Sequence, residues 1–191
     1  MKKKIIIGVS LGLVVAIIAT VVTLACVQKS YKPEFDLEPK TITVVELSSK
    51  DEFQTGVAYS NKETCLKIEE LFEQGFKQSI LSSIFTGNSS NKVEVEPVSS
   101  LPTFSSGYTV TFEYKADMIL KVNGEKYSPN TNSDKQVAFQ TIIFNVNEQE
   151  GYESFNIYVK EVVGNKTYYY EVSTIANTTE LYNYLGELSY N

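Results

Sequence analysis

The stretch YTVTFEYKADMILKV, residues 108–122, keeps a two-residue period from end to end. Tyr108, Val110, Phe112, Tyr114, Ala116, Met118, Leu120 and Val122 fall on one side of an extended chain. Thr109, Thr111, Glu113, Lys115, Asp117, Ile119 and Lys121 fall on the other. Successive side chains of a strand point to opposite faces, so the pattern predicts one long strand with an apolar face, the kind found in a strongly bent antiparallel sheet. Outward from it, Asn123-Gly124 signals a type I′ hairpin. Gln136 to Asn147 is apolar on both faces, as a central strand would be. Ser154 to Val163 and Lys166 to Ile175 form a second hairpin across Gly164-Asn165. Upstream, Val93 and Val95 alternate with Glu94 and Glu96 until Pro97 ends the run, and the β-branched Thr41 to Leu47 predicts a first strand.

The helical signal is as plain. Ser60 with Glu63 fits a capping box, after which Cys65, Ile68, Phe72, Phe76, Ile80 and Ile84 recur at steps of three and four, widened by Leu71 and Leu81. Gly87 and Asn88 supply a stop, predicting one long amphipathic helix over residues 60–87. Gly75, Ser79 and Ser83 make a line of small residues where a neighbouring element can approach closely. Asn177 with Glu180 opens a short last helix bearing Leu181, Tyr184, Leu185 and Leu188 on one face. The order implies an α+β domain, a curved antiparallel sheet of about five to six strands packed on one long helix. In element order alone it resembles the cystatin-like or NTF2-like architecture, a likeness that carries over no functional residues.

Ahead of this domain, Ile5 to Val27 holds no charged residue and follows Lys2, Lys3 and Lys4. As a helix it would extend roughly 35 Å, enough for the ~30 Å core of a bilayer. The expected organisation is a cytoplasmic tail at 1–4, a transmembrane anchor or lipoprotein signal at 5–27, a tether at 28–40 rich in proline and charge, and an extracytoplasmic domain at 41–191. The lysines place the N-terminus inside a cell membrane. Gly8, Gly12, Ala16 and Thr20 repeat at four-residue steps, a spacing that lets two membrane helices pack closely. Leu24-Ala25-Cys26 resembles the end of a bacterial lipobox, which makes Cys26 a candidate for lipidation, although Thr23 and Leu24 depart from the residues that pattern prefers. Thr23-Leu24-Ala25 also passes as a secretory cleavage site.

Composition narrows the chemistry. The formal charge is -6 and there is no arginine, so phosphate backbones are repelled and nucleic-acid binding is not expected. Without histidine there is no ordinary catalytic triad, no imidazole metal ligand and no proton shuttle near neutral pH. Cys65, set in the predicted helix, reads as a small core residue and forms no disulfide with Cys26. No phosphate-cradling glycine loop occurs. Glu69, Glu70 and Glu73, like Glu94 and Glu96, read as solvated faces. Asn130, Asn132 and Asp134 alternate like calcium ligands but lack the loop's sixth-position glycine and final acid, since Thr141 stands at position twelve. No cofactor or metal is therefore expected.

Eight of the thirteen tyrosines lie from Tyr152 onward. Among them Tyr168, Tyr169 and Tyr170 suggest an aromatic surface for a sugar or peptide. The function expected is that of a binding or scaffold domain in a bacterial envelope assembly, not an enzyme, with the membrane and a second copy or a membrane protein as partners. In layout alone it resembles the assembly factors of secretion and conjugation systems. A tethered lipoprotein module for a peptide, glycan or lipid is the alternative.

Overall fold

A computed structural model of the chain describes residues 16–23, 28–30, 38–47, 56–79, 93–122, 125–129 and 136–189. Contacts divide the chain into two units, Met1–Ser30 with Lys77–Asn91, and Tyr31–Phe76 with Lys92–Asn191.

In the first unit residues 16–23 form a helix, α1, and β1 (Gln28–Ser30) pairs antiparallel with β4 (Lys77–Ser79). This corrects the expectation of a transmembrane anchor. No helix among the described residues is long and apolar enough to cross a membrane. The eight described residues of α1 account for about 12 Å at 1.5 Å per residue, against the ~30 Å of a hydrocarbon core. The single-pass topology, and the cell-membrane location with the N-terminus inside that followed from it, fall with the anchor. Ala16 and Thr20 do share one face of α1, where the Thr20 hydroxyl donates back to the Ala16 carbonyl at 2.9 Å. Gly8, Gly12 and Cys26 lie outside the described residues.

The second unit is α+β, built on a seven-stranded antiparallel sheet where about five to six strands were expected. Its strands are β2 (Thr41–Leu47), β3 (Gly56–Tyr59), β5 (Glu94–Val98), β6 (Gly107–Ile119), β9 (Ala138–Val146), β10 (Glu153–Val163) and β11 (Lys166–Ala176). Their spatial order is β3-β2-β6-β9-β10-β11-β5. Two short strands between β6 and β9, β7 (Lys121–Val122) and β8 (Glu125–Lys126), form their own ribbon across the predicted Asn123-Gly124 turn, itself outside the described residues. The β10–β11 hairpin closes where predicted, with Val163 opposite Lys166 and Gly164 at φ 60°, a left-handed value that glycine adopts without a Cβ clash.

The period-two reading of residues 108–122 holds in its first half and breaks in its second. Tyr108, Val110, Phe112 and Tyr114 are buried as a row, with Val110 paired to Phe144 and Phe112 to Ile142. Between Glu113 and Met118 the register against β9 shifts, and Lys115, Ala116 and Asp117 are exposed. Extra residues on one strand bend it and re-aim its side chains. Here they place Ala116 in solvent, whereas strict alternation had put it in the core.

The helix α2 spans Lys62–Gly75 and so ends well before residue 87. Its N-cap is Asn61, whose Oδ1 accepts from the Thr64 N–H at 2.8 Å, one place beyond the serine expected in that role. Its C-cap is the fully buried Phe76, and at its end the Gly75 carbonyl accepts from the Asn177 N–H at 2.8 Å. A Cβ at position 75 would sit 2.9 Å from the Asn177 carbonyl oxygen, so this close approach needs glycine. Thus Gly75, the first of the small-residue line, does meet a neighbour. Ser83 lies outside the described residues.

Phe72 is the hub of the core, its ring centroid 4.5 Å from Phe144, 4.9 Å from Phe76 and 5.2 Å from Phe112. The last helix, α3 (Thr179–Ser189), buries Leu181 and Leu185 against the same core. Its start is held by Asn177, whose Oδ1 accepts from the N–H and hydroxyl of Thr179, and by Gln149, whose Oε1 accepts from Thr178.

Candidate functional site

The sheet registers bring three lysines to one end of the second unit. Thr41 opens β2 opposite Glu113 of β6, while Ile42 is opposite Tyr59 near the end of β3. Lys40 therefore precedes β2 at the same sheet end where β3 runs into Ser60 and α2, and where β6 continues into its irregular segment. The lining of a pocket of about 440 Å³ follows from this. Glu38, Pro39, Lys40 and Thr41 come from the approach to β2, Ser60 from the end of β3, and Lys62, Cys65, Leu66 and Glu69 from one face of α2. Lys115 comes from the register shift of β6.

Three ammonium groups and two carboxylates give this pocket an excess of positive charge in a chain whose formal charge is -6. None of the three lysines has an ion-pair partner among the described residues. Lys67, on another part of α2, does have one, Glu70 at 3.1 Å. Lys40 and Lys115 come from segments outside the regular ladder, and Lys62 stands in the first turn of α2. Their ammonium groups are flexible, strongly hydrated donors that suit a point charge more than a planar fork.

Cys65 forms part of the pocket wall but is only 6% exposed, and its thiol donates to the Tyr59 carbonyl at 3.3 Å. Burial pushes the thiol up from its ordinary range; a backbone hydrogen bond at Ile42 works against this, and the charge of Glu69 adds to it. The sulfur stays protonated at neutral pH, the opposite of an activated nucleophile. Tyr114, beneath α2, is likewise raised, by burial first and then by the charges of Glu69 and Glu73. Among the described residues no cluster of three or more Cys, Asp or Glu side chains is arranged to hold a metal ion. The calcium-like Asn130, Asn132 and Asp134 lie outside the described residues.

The three tyrosines of β11 do not share one surface. Tyr170 is buried, donates to Glu161 Oε2 at 2.9 Å and meets Tyr127 edge-on at 6.0 Å. Tyr168, on the same side of the strand, is 42% exposed, and Tyr169 is half-buried on the opposite side, across from Lys160 and Val98. The other sheet face has a mixed row in which Thr43, Thr111, Ile143, Tyr158, Glu171 and Glu96 stand opposite one another from strand to strand. Phe104 leans on Tyr158 there at 5.9 Å, and Asn156 donates to Glu171 at 3.1 Å.

Sequence reasoning missed Lys40, Lys62 and Lys115, which lie apart in the chain and carry no motif. Only the pairing of β2 with β3 and β6 brings them together. The fold and site thus define an α+β domain with an open antiparallel sheet and a cationic pocket at one sheet end. No family model, no curated protein and no solved structure matches the chain.

Proposed function

We propose that the second unit is a binding module for a carboxylate-bearing partner, and that the pocket between α2, β2 and β6 receives the anionic group. The observation that carries this reading is the excess of positive charge formed by Lys40, Lys62 and Lys115 in an otherwise acidic chain. Three ammonium groups against two carboxylates leave the pocket with a net positive charge, which a bound anion neutralises. The protonated Cys65 and the missing histidine favour recognition over catalysis.

Citrate is the probe for a first test. Titrated into isotope-labelled protein, it is expected to move the amide resonances of Lys40, Thr41, Lys62 and Lys115 together, and to bind at least tenfold more weakly to the Lys62→Gln, Lys115→Gln double variant. Equal affinity in that variant, or resonance changes confined to other parts of the sheet, would overturn the reading.

A further inference from the structure

The two edges of the seven-stranded sheet are unlike. At one end β5 is protected, because Pro97 offers no N–H and Glu94 and Glu96 are exposed charges on a strand that, among the described residues, pairs only with β11. Both devices discourage a further strand from pairing. At the other end β3, Gly56–Tyr59, contains neither proline nor charge, and among the described residues it pairs with β2 alone. Val57 is 50% exposed there. This edge runs directly into the cationic pocket, since Tyr59 is followed by Ser60 and Lys62, both of which line it.

From this juxtaposition we infer that β3 is a docking edge for an extended acidic peptide, which adds as an eighth strand and places a carboxylate among Lys40, Lys62 and Lys115. The inference rests on the pocket's being an anion site and goes beyond it by naming the partner's chemistry and conformation. In strand addition the main-chain hydrogen bonds provide affinity and are indifferent to sequence, while neighbouring pockets read side chains. Here the register sets the reading frame. A strand lying beside Gly56–Tyr59 reaches the pocket one or two residues past the partner of Tyr59, so an acidic residue at that point of the peptide meets the lysines. Selection is by charge, and a basic peptide of the same length is rejected.

The test uses the full chain and a capped eight-residue peptide alternating valine and glutamate. Its controls are the same peptide with lysine for glutamate, and a glutamate peptide N-methylated at every residue, which keeps the charge and loses every backbone donor. The acidic peptide is expected to bind and to slow amide exchange in Gly56–Tyr59, while each control binds at least tenfold more weakly. Val57→Glu is expected to remove peptide binding with little change in citrate affinity or melting temperature. If the N-methylated peptide binds as well as its parent, strand addition is wrong although the anion pocket stands. If citrate also fails to bind, the pocket reading fails with it. Self-association of the protein alone, abolished by Val57→Glu, would assign the edge to a second copy instead.

Discussion

Replacing Gly75 by alanine sets two opposed effects against each other, and the structure decides which wins. Alanine in place of glycine is worth roughly 0.8 to 1.0 kcal/mol in a helix interior, which sets the upper bound for Gly75 at the last residue of α2. At Gly75 the added Cβ would lie 2.9 Å from the Asn177 carbonyl oxygen and 3.6 Å from its carbon, both backbone atoms. Those atoms cannot swing aside, because the Asn177 N–H is bonded to the Gly75 carbonyl at 2.8 Å and its side chain holds the start of α3. Relief requires α3 to move away from α2, which weakens a hydrogen bond worth about 1 kcal/mol and loosens the packing of Leu181 and Leu185 by about 1 to 3 kcal/mol. The net expectation is a loss of about 1 to 3 kcal/mol. Gly186, within α3, is the matched control. A Cβ there would meet only the end of Tyr108, at 3.4 Å, so Gly186→Ala should gain up to about 1 kcal/mol. For a chain of this size each kcal/mol moves the melting temperature by about 2 to 4 °C. Calorimetry should therefore show Gly75→Ala melting below the parent and Gly186→Ala at or above it. A Gly75→Ala protein as stable as the parent would refute the close approach of α2 to the turn before α3.

Two further outcomes follow from the core. Phe72→Ala removes a ring packed against Phe76, Phe112 and Phe144 and should cost about 3 to 5 kcal/mol by denaturant unfolding, where truncating the exposed Val162 should cost under about 0.5 kcal/mol. Tyr114 is held protonated above the ordinary tyrosine range by burial and by Glu69 and Glu73. A group whose folded pKa is raised contributes stability fully below its unfolded value, near 10, and loses it as the pH climbs further. Unfolding measured between about pH 9 and 11.5 should thus show stability falling above pH 10, and falling less steeply in Tyr114→Phe; parallel curves would count against burial of that hydroxyl.

Local periodicity was legible wherever it was also the final arrangement. The alternation of β6 up to Tyr114, the β10–β11 hairpin across Gly164 and the apolar face of α2 were readable because strand and helix repeats depend on neighbours two to four residues apart. The same reasoning overran wherever a contact distant in sequence intervened. Helical spacing continued past Phe76, but the helix ends at Gly75, whose carbonyl accepts from the Asn177 N–H. Alternation continued through Ala116, but the shifted register against β9 exposes it. Hydropathy alone made residues 5–27 look like a membrane span, whereas no helix among the described residues is long and apolar enough to cross one.

By itself, then, the chain's order of residues determined the α+β class, the hairpins, the apolar faces and the chemistries ruled out by missing histidine and arginine. Tertiary structure alone decided the seven-strand order, the unequal edges β3 and β5, and the meeting of Lys40, Lys62 and Lys115. The physical reason is one of range. Propensity and periodicity act through adjacent turns of the backbone, while a pocket is made by strands far apart in sequence whose pairing no local pattern encodes.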